Sequence, residues 1–310
     1  MKNRWLRRGV NALLFIGLTV ASLVMLAMWV GQRDVPSPTA AEREQAFKRA
    51  ISWVRTHETE ILQERNIALW WFVQAAAERS ADPDLAALMA RHRALSARDG
   101  ITRLPWWRML APKADTPDTS VQAESLEPYQ RFLYHAVTCQ PVALGQGDTT
   151  AYLSAGACRP MVSQVFVRDP VCTTHQLMGV LQLSRMACTT APKLPLLERE
   201  LLADIEQQMQ WDVVLKDAYF QRVMMLMWRG HPEQLKPVWL HRMYQAQQPD
   251  GGWAGGRQFP ELPPWAQPWV LRAKLATWWP SRFHAGTSFD FHASAQGLLI
   301  TALALPERKP

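Results

Sequence analysis

Two pieces of one stretch decide the fold: Tyr244-Gln245-Ala246-Gln247-Gln248-Pro249-Asp250-Gly251-Gly252-Trp253, and the run FDFHASAQGLLITALAL over residues 289–305. Residues 232–248 read as a helix, with apolar positions at Leu235, Val238, Trp239 and Met243. Pro249 stops it, because its ring cannot continue a helical hydrogen-bond ladder. Asp250-Gly251-Gly252 then reverses the chain, since glycine takes positive φ without steric cost. Trp253 is placed to fold back on the apolar end of the helix pair. Ser288 to His292 offers N-cap residues for a last helix, over 292–305, that is apolar on nearly every side. A helix apolar all round is a buried helix.

An outer helix ending in Gln-x-Pro-Asp-Gly-Gly-Trp, followed by an inner helix of the type H/T-x-S-A-x-G-L-L, resembles the α/α toroid of terpenoid cyclases and protein prenyltransferase β subunits. The likeness is close over residues 244–305 and rests on helix periodicity elsewhere. It implies an all-α domain, a toroid-like array of helical hairpins around a central cavity.

At the other end, Lys2, Arg4, Arg7 and Arg8 precede a charge-free run from Gly9 to Gln32. About 20 apolar residues cross a bilayer's hydrocarbon core. No small-residue cleavage site follows the run, and Trp29 suits an interfacial anchor. The expectation is a retained signal anchor over 9–31, with a cleaved signal peptide as the alternative. The cationic flank places residues 1–8 in the cytoplasm. A stiff Pro-containing linker spans 32–39, and one extracytoplasmic domain of residues 40–310 follows. The expected location is the inner (plasma) membrane with the main domain periplasmic. The formal net charge is +7, but the first eight residues supply four of those charges, so nucleic-acid binding has little support.

Helical spacing recurs near 40–56, 58–79, 83–97, 126–138, 174–187, 194–209, 213–229, 232–248, 265–279 and 292–305. Val162–Val167 is the one fair strand candidate. The segments alternate in character: 65–77, 174–187, 213–229 and 292–305 are apolar throughout, whereas 83–97, 194–209 and 232–248 are charged on one face. Such alternation suits inner and outer helices of a ring. The starts at 174 and 213 lie roughly 40 residues apart, one hairpin repeat.

Four groups of residues are candidates for chemistry. Cys139, Cys158, Cys172 and Cys188 fall close together, as in an oxidising compartment. A helix over 174–187 holds its ends about 20 Å apart, too far for a Cys172–Cys188 bridge; Cys172 is expected to pair with Cys139 or Cys158. Asp169, Cys172 and His175, with His292 and Asp290 at another inner-helix start, form an alternative zinc set. That set loosely resembles the Asp, Cys and His of the prenyltransferases, with the carboxylate one residue further from the thiolate. No cofactor is otherwise called for. The D-x-D-D acid motif of squalene-type cyclases, the C-x-E-Q thioester, G-x-S-x-G and the P-loop are all absent. His175, His292 and Asp217 are the candidate catalytic residues of a lyase, hydrolase or transferase. Asp217 either faces the cavity or pairs with Arg222 or Arg185. Among fifteen tryptophans, Trp70, Trp71 and Trp253, with Asp290, are candidate ligand-binding residues, since aromatic faces suit sugar rings and lipid tails. The leading expectation is a single-pass, envelope-associated binding protein for a glycan, lipid or protein partner. The rival is an enzyme acting on envelope polysaccharide or lipid.

Overall fold

The computed structural model describes residues 2–114, 128–140, 171–186, 193–212, 217–230, 234–255 and 289–306, with isolated positions at 126, 153, 154, 158, 188 and 215. The expected helix over 265–279, the strand candidate Val162–Val167 and Asp169 lie outside the described residues. Among the described residues the chain is all-α, with eleven helices and no strand: α1 (Lys2–Gln32), α2 (Ala40–Thr56), α3 (Glu58–Ile61), α4 (Ile67–Ser80), α5 (Pro83–Arg98), α6 (Pro128–Thr138), α7 (Cys172–Met186), α8 (Leu194–Trp211), α9 (Asp217–Arg229), α10 (Pro237–Gln245) and α11 (Phe291–Leu303).

Local chemistry sets these limits. Thr39 and Glu42 close a capping box at α2, each accepting from the other's backbone N–H, at 3.2 and 2.7 Å. Asp82 accepts from Asp84 N and Leu85 N, and Pro83 occupies the first turn of α5. The expected helix over 58–79 is broken at 62–66. There Glu64 accepts from Asn66 N at 2.7 Å and Asn66 caps α4 by accepting from Ala68 N.

Helices α4, α7, α9 and α11 are buried on nearly every side. Helix α11 packs against α4, α9 and α2, α7 against α6, α8 and α9, and α5 against α4. A 3₁₀ segment, Pro105–Met109, bridges α4 and α6. Contacts along each pair fix direction. Tyr129 meets His175 at 4.6 Å, Phe132 covers Gly179, and Cys139 reaches Cys188, so α6 and α7 run parallel. Thr174 bonds Gln221, and Asp217 accepts from Gln296, so α7, α9 and α11 share one direction. Arg79 near the end of α4 donates to Leu305 O just past α11, so α4 joins them. Helices α5 and α8 run the other way: α4 and α5 meet at the 80–83 turn while His92 returns to stack on Trp70 near the start of α4, and Gln208 donates to Thr173 while Glu198 pairs with Arg229.

The 247–253 turn joins the two ends of the chain. Gln247 Nε2 donates to Ala46 O and to Gly251 O, both at 2.9 Å. Gly251 has φ +99°, and a Cβ there would collide with the Arg49 carbonyl; a Cβ on Gly252 would enter the Trp53 indole. Trp253 is buried. It donates Nε1 to Met243 O at 2.8 Å and accepts Ser294 Oγ on its backbone carbonyl at 3.2 Å. A Cβ on Gly297 of α11 would come 2.5 Å from its ring.

Two disulfides hold α7 at both ends: Cys158–Cys172 at its start and Cys139–Cys188 just past its finish. The first is the expected pairing of Cys172. The second gives Cys139 a different partner, because α6 and α7 are parallel and bring their C-terminal ends together. Below α7, Arg222 forms a buried ion pair with Asp212 and donates to Gln208 Oε1 at 3.0 Å. Burial pulls the Arg222 guanidinium down from its ordinary value, and Asp212 opposes that shift.

Helix α1 meets the body near its last turn. Gln32 donates to Met209 O and Gln210 O at 3.0 and 3.1 Å, and His241 meets Pro36 O at 2.7 Å. The expected linker 32–39 is therefore packed down, with Pro38 buried. Leu13, Phe15, Leu18, Met25 and Trp29 are exposed. Among the described residues no helix is long and apolar enough to cross a membrane; the side chains at 1–8, 20, 23, 24, 27 and 30 lie outside them.

Two substitutions test this packing. Gly297→Ala should cost about 1–3 kcal/mol, as overpacking does, read as a lower urea midpoint. Asp212→Ala should cost about 3–5 kcal/mol, because it leaves Arg222 charged and buried without its partner.

Candidate functional site

The parallel helices give the body two distinct ends. At the N-terminal end, the first residue of α9, Asp217, accepts from Gln296 Nε2 at 2.9 Å and lies 3.5 Å from His292 Nε2. His292 is about half exposed, so its ring is accessible beside a carboxylate. Asp217 is therefore not a mid-helix charge. Its helix begins at 217 rather than 213, and an acid in the first turn is favoured by the helix dipole. Neither expected arginine partner reaches it: Arg222 holds Asp212, and Arg185 donates to Met109 O at 2.8 Å. His175 opens α7 at the same end but is engaged differently, with Nδ1 2.8 Å from Val171 O and its ring against Tyr129. The structure thus pairs Asp217 with His292 and does not bring His175 into that pair.

The zinc alternative fails on the thiolate. Cys172 Sγ is bonded to Cys158, and zinc binds the ionised sulfur. Among the described residues no group of three or more His, Cys, Asp or Glu could hold a metal ion. Asp290 is accounted for by the backbone: it caps α11 through Ala293 N at 3.1 Å and accepts from Gly255 N at 2.6 Å. Trp70 and Trp253, expected as ligand-binding residues, are 0% and 1% exposed. Trp70 donates to Glu64 O at 2.9 Å and stacks on His92 at 3.6 Å. Both are core residues.

At the C-terminal end a cavity of about 370 Å³ opens between α4, α7 and α9. Trp71 and Trp228 line it with ring centroids 4.7 Å apart, and the Arg185 guanidinium lies 5.8 Å from the Trp71 ring. Gln74, Glu78, Ser184 and Arg229 complete the polar part. Burial pulls the Arg185 pKa down, and the Glu78 carboxylate opposes that shift. Trp71 was among the sequence candidates; Trp228 and Glu78 were not. Their signal is positional: Trp228 and Arg185 fall in the last turns of two parallel apolar helices, and Trp71 is the outward member of its doublet.

His92 is a strongly perturbed histidine. It is 1% exposed, sandwiched near Trp70 and Trp107, and its Nε2 lies 3.2 Å from Ser96 Oγ. Desolvation lowers its pKa from 6.5 to about 4, and Arg93 adds to that.

Comparison of the chain with family models, with curated proteins and with solved structures finds no match in any of the three.

The His92 shift has a sign that can be measured. A histidine held neutral when folded binds fewer protons than it does unfolded. Its stabilising contribution is present above pH 6.5 and is lost as pH falls from 6.5 toward about 4. The loss should be on the order of 2 kcal/mol after discounting for solvent reaching the groove beside it. Denaturant midpoints of the parent and of His92→Phe, compared between pH 7 and pH 4, should converge at low pH by that amount.

Proposed function

We propose that this chain is a single-pass, membrane-anchored, extracytoplasmic binding protein for a glycan, built as an α/α toroid whose outer mouth takes the sugar. The observation that carries the reading is the cavity between α4, α7 and α9. It combines paired tryptophans with two guanidinium groups, a carboxylate, an amide and a hydroxyl in about 370 Å³. An aromatic face covers the C–H side of a sugar ring, and fixed polar groups read its hydroxyls. The circuit of packing from α4 through α11, α9, α7, α6 and the 105–109 segment back to α4 supports the toroid. The two disulfides fit an oxidising compartment. The anchor is supported by the charge-free run 9–32 and by the uncovered apolar side chains of α1. A lipid or an envelope protein as the occupant, in place of a glycan, is an outcome of the test.

One observation favours a second reading. The Asp217–His292 pair, with an accessible imidazole oriented by a carboxylate, is an arrangement suited to general acid–base work on envelope polysaccharide or lipid.

Envelope glycan fragments titrated into the full-length protein should bind and quench tryptophan fluorescence. Trp228→Ala should weaken binding about tenfold, near 1.4 kcal/mol, while His292→Ala leaves it unchanged. Turnover of the glycan that His292→Ala abolishes would instead establish the enzyme. Binding only to lipid vesicles or to an envelope protein would refute the glycan. For topology, alkaline phosphatase fused after residue 310 should be active.

A further inference from the structure

A second concavity, of about 550 Å³, lies between the 62–66 turn and the end of α5, away from the cavity just described. Its polar lining includes Glu64, Arg65, His92, Ser96, Arg98 and Asp99, beside Thr59 and Gln63. His92 is almost wholly buried, yet its Nδ1 has no hydrogen-bond partner. A buried polar atom without a partner costs about 1–3 kcal/mol, so a structure that retains one invites a ligand atom. Ser96 Oγ lies 3.2 Å from His92 Nε2, which leaves Nδ1 as the ring nitrogen without a partner. In the tautomer protonated at Nδ1 the groove presents a buried donor.

Two cations stand at its rim. Arg65 has no partner among the described residues, and Arg98 engages Asp99 through Nε alone, at 3.0 Å. Guanidinium groups and an N–H donor together recognise a carboxylate. The remaining lining is not anionic-selective: Glu64 and Asp99 accept hydrogen bonds, and Leu62 and Leu95 offer an apolar wall. A ligand with a carboxylate alone would meet two like charges there. A carboxylate carried on a hydroxylated ring would give those acids hydroxyl donors and set its C–H face on the leucines.

We propose that this groove is a binding site for a uronic-acid unit, with His92 in its Nδ1–H tautomer, the carboxylate on Arg65, Arg98 and that N–H, and the ring hydroxyls on Glu64 and Asp99. The site is independent of the Trp71–Trp228 cavity and can stand if that one binds nothing. Because the floor histidine is neutral near pH 7, the site reads the ligand with a dipole as well as two charges.

Calorimetric titration of the full-length protein with D-glucuronate at pH 7 tests it, with D-glucose and acetate as controls. Glucuronate should bind at least tenfold more tightly than either. The doubly substituted Arg65→Ala/Arg98→Ala protein, altered only at surface side chains, should lose that advantage, whereas Trp228→Ala should keep it. In histidine-labelled protein the His92 ring resonance should shift on adding glucuronate and titrate at a higher pH. Absence of glucuronate binding, equal binding of glucose or acetate, or an unaffected double variant would each overturn the proposal.

Discussion

Everything else in the body depends on how the Trp253 indole is seated. It sits where Gly297 leaves room on α11 and donates Nε1 to Met243 O near the end of α10, while the Trp253 backbone bonds Ser294. The same turn presses Gly251 onto the Arg49 backbone and Gly252 onto the Trp53 indole of α2, some two hundred residues earlier. Residues near 46–53 are thereby tied to residues near 294–297. Helix α11 can then pack on α2, α4 and α9 together. Close approach at both contacts needs the absence of a side chain, and that is why glycines flank the tryptophan on either side of the joint. Without the joint, α11 would have an apolar surface on nearly every side and nothing to cover half of it.

Much of this was legible in the residues, and for identifiable reasons. Proline, glycine and Asp/Asn/Thr caps act within one turn, so the limits of α2, α5, α8 and α11 fall within two residues of the expected ones. The contrast between all-round apolar and one-sided segments anticipated which helices are buried. The Trp70–Trp71 doublet divides because neighbours on a helix point about 100° apart: one ring enters the core against His92 and the other lines the cavity. What escaped depended on distant pairings. Asp212 takes Arg222 from outside any helix, so no spacing rule announces it. The partner of Cys139 follows from α6 and α7 being parallel, which a long intervening segment leaves open. The break at 62–66 arises because Glu64 and Asn66 bond the local backbone more favourably than a helix would.

The charges at the two ends follow from the same parallel packing. Helices α4, α7, α9 and α11 present their N-termini at one end and their C-termini at the other, so their dipoles add. Acids gather at the first: Asp217 begins α9 and Asp290 caps α11. Arginines gather at the second: Arg79, Arg185 and Arg229 occupy last turns. Each charge therefore has a sufficient structural cause, and acidity at the first end is weak evidence for catalysis. The same logic isolates what has no such cause. Placing Trp71 and Trp228 together in an opening beside Arg185 does nothing for a helix dipole, and leaving His92 Nδ1 unpartnered costs stability. Neither feature is needed for the body to stand, and so these two concavities, rather than the charged helix starts, are where a ligand is best sought.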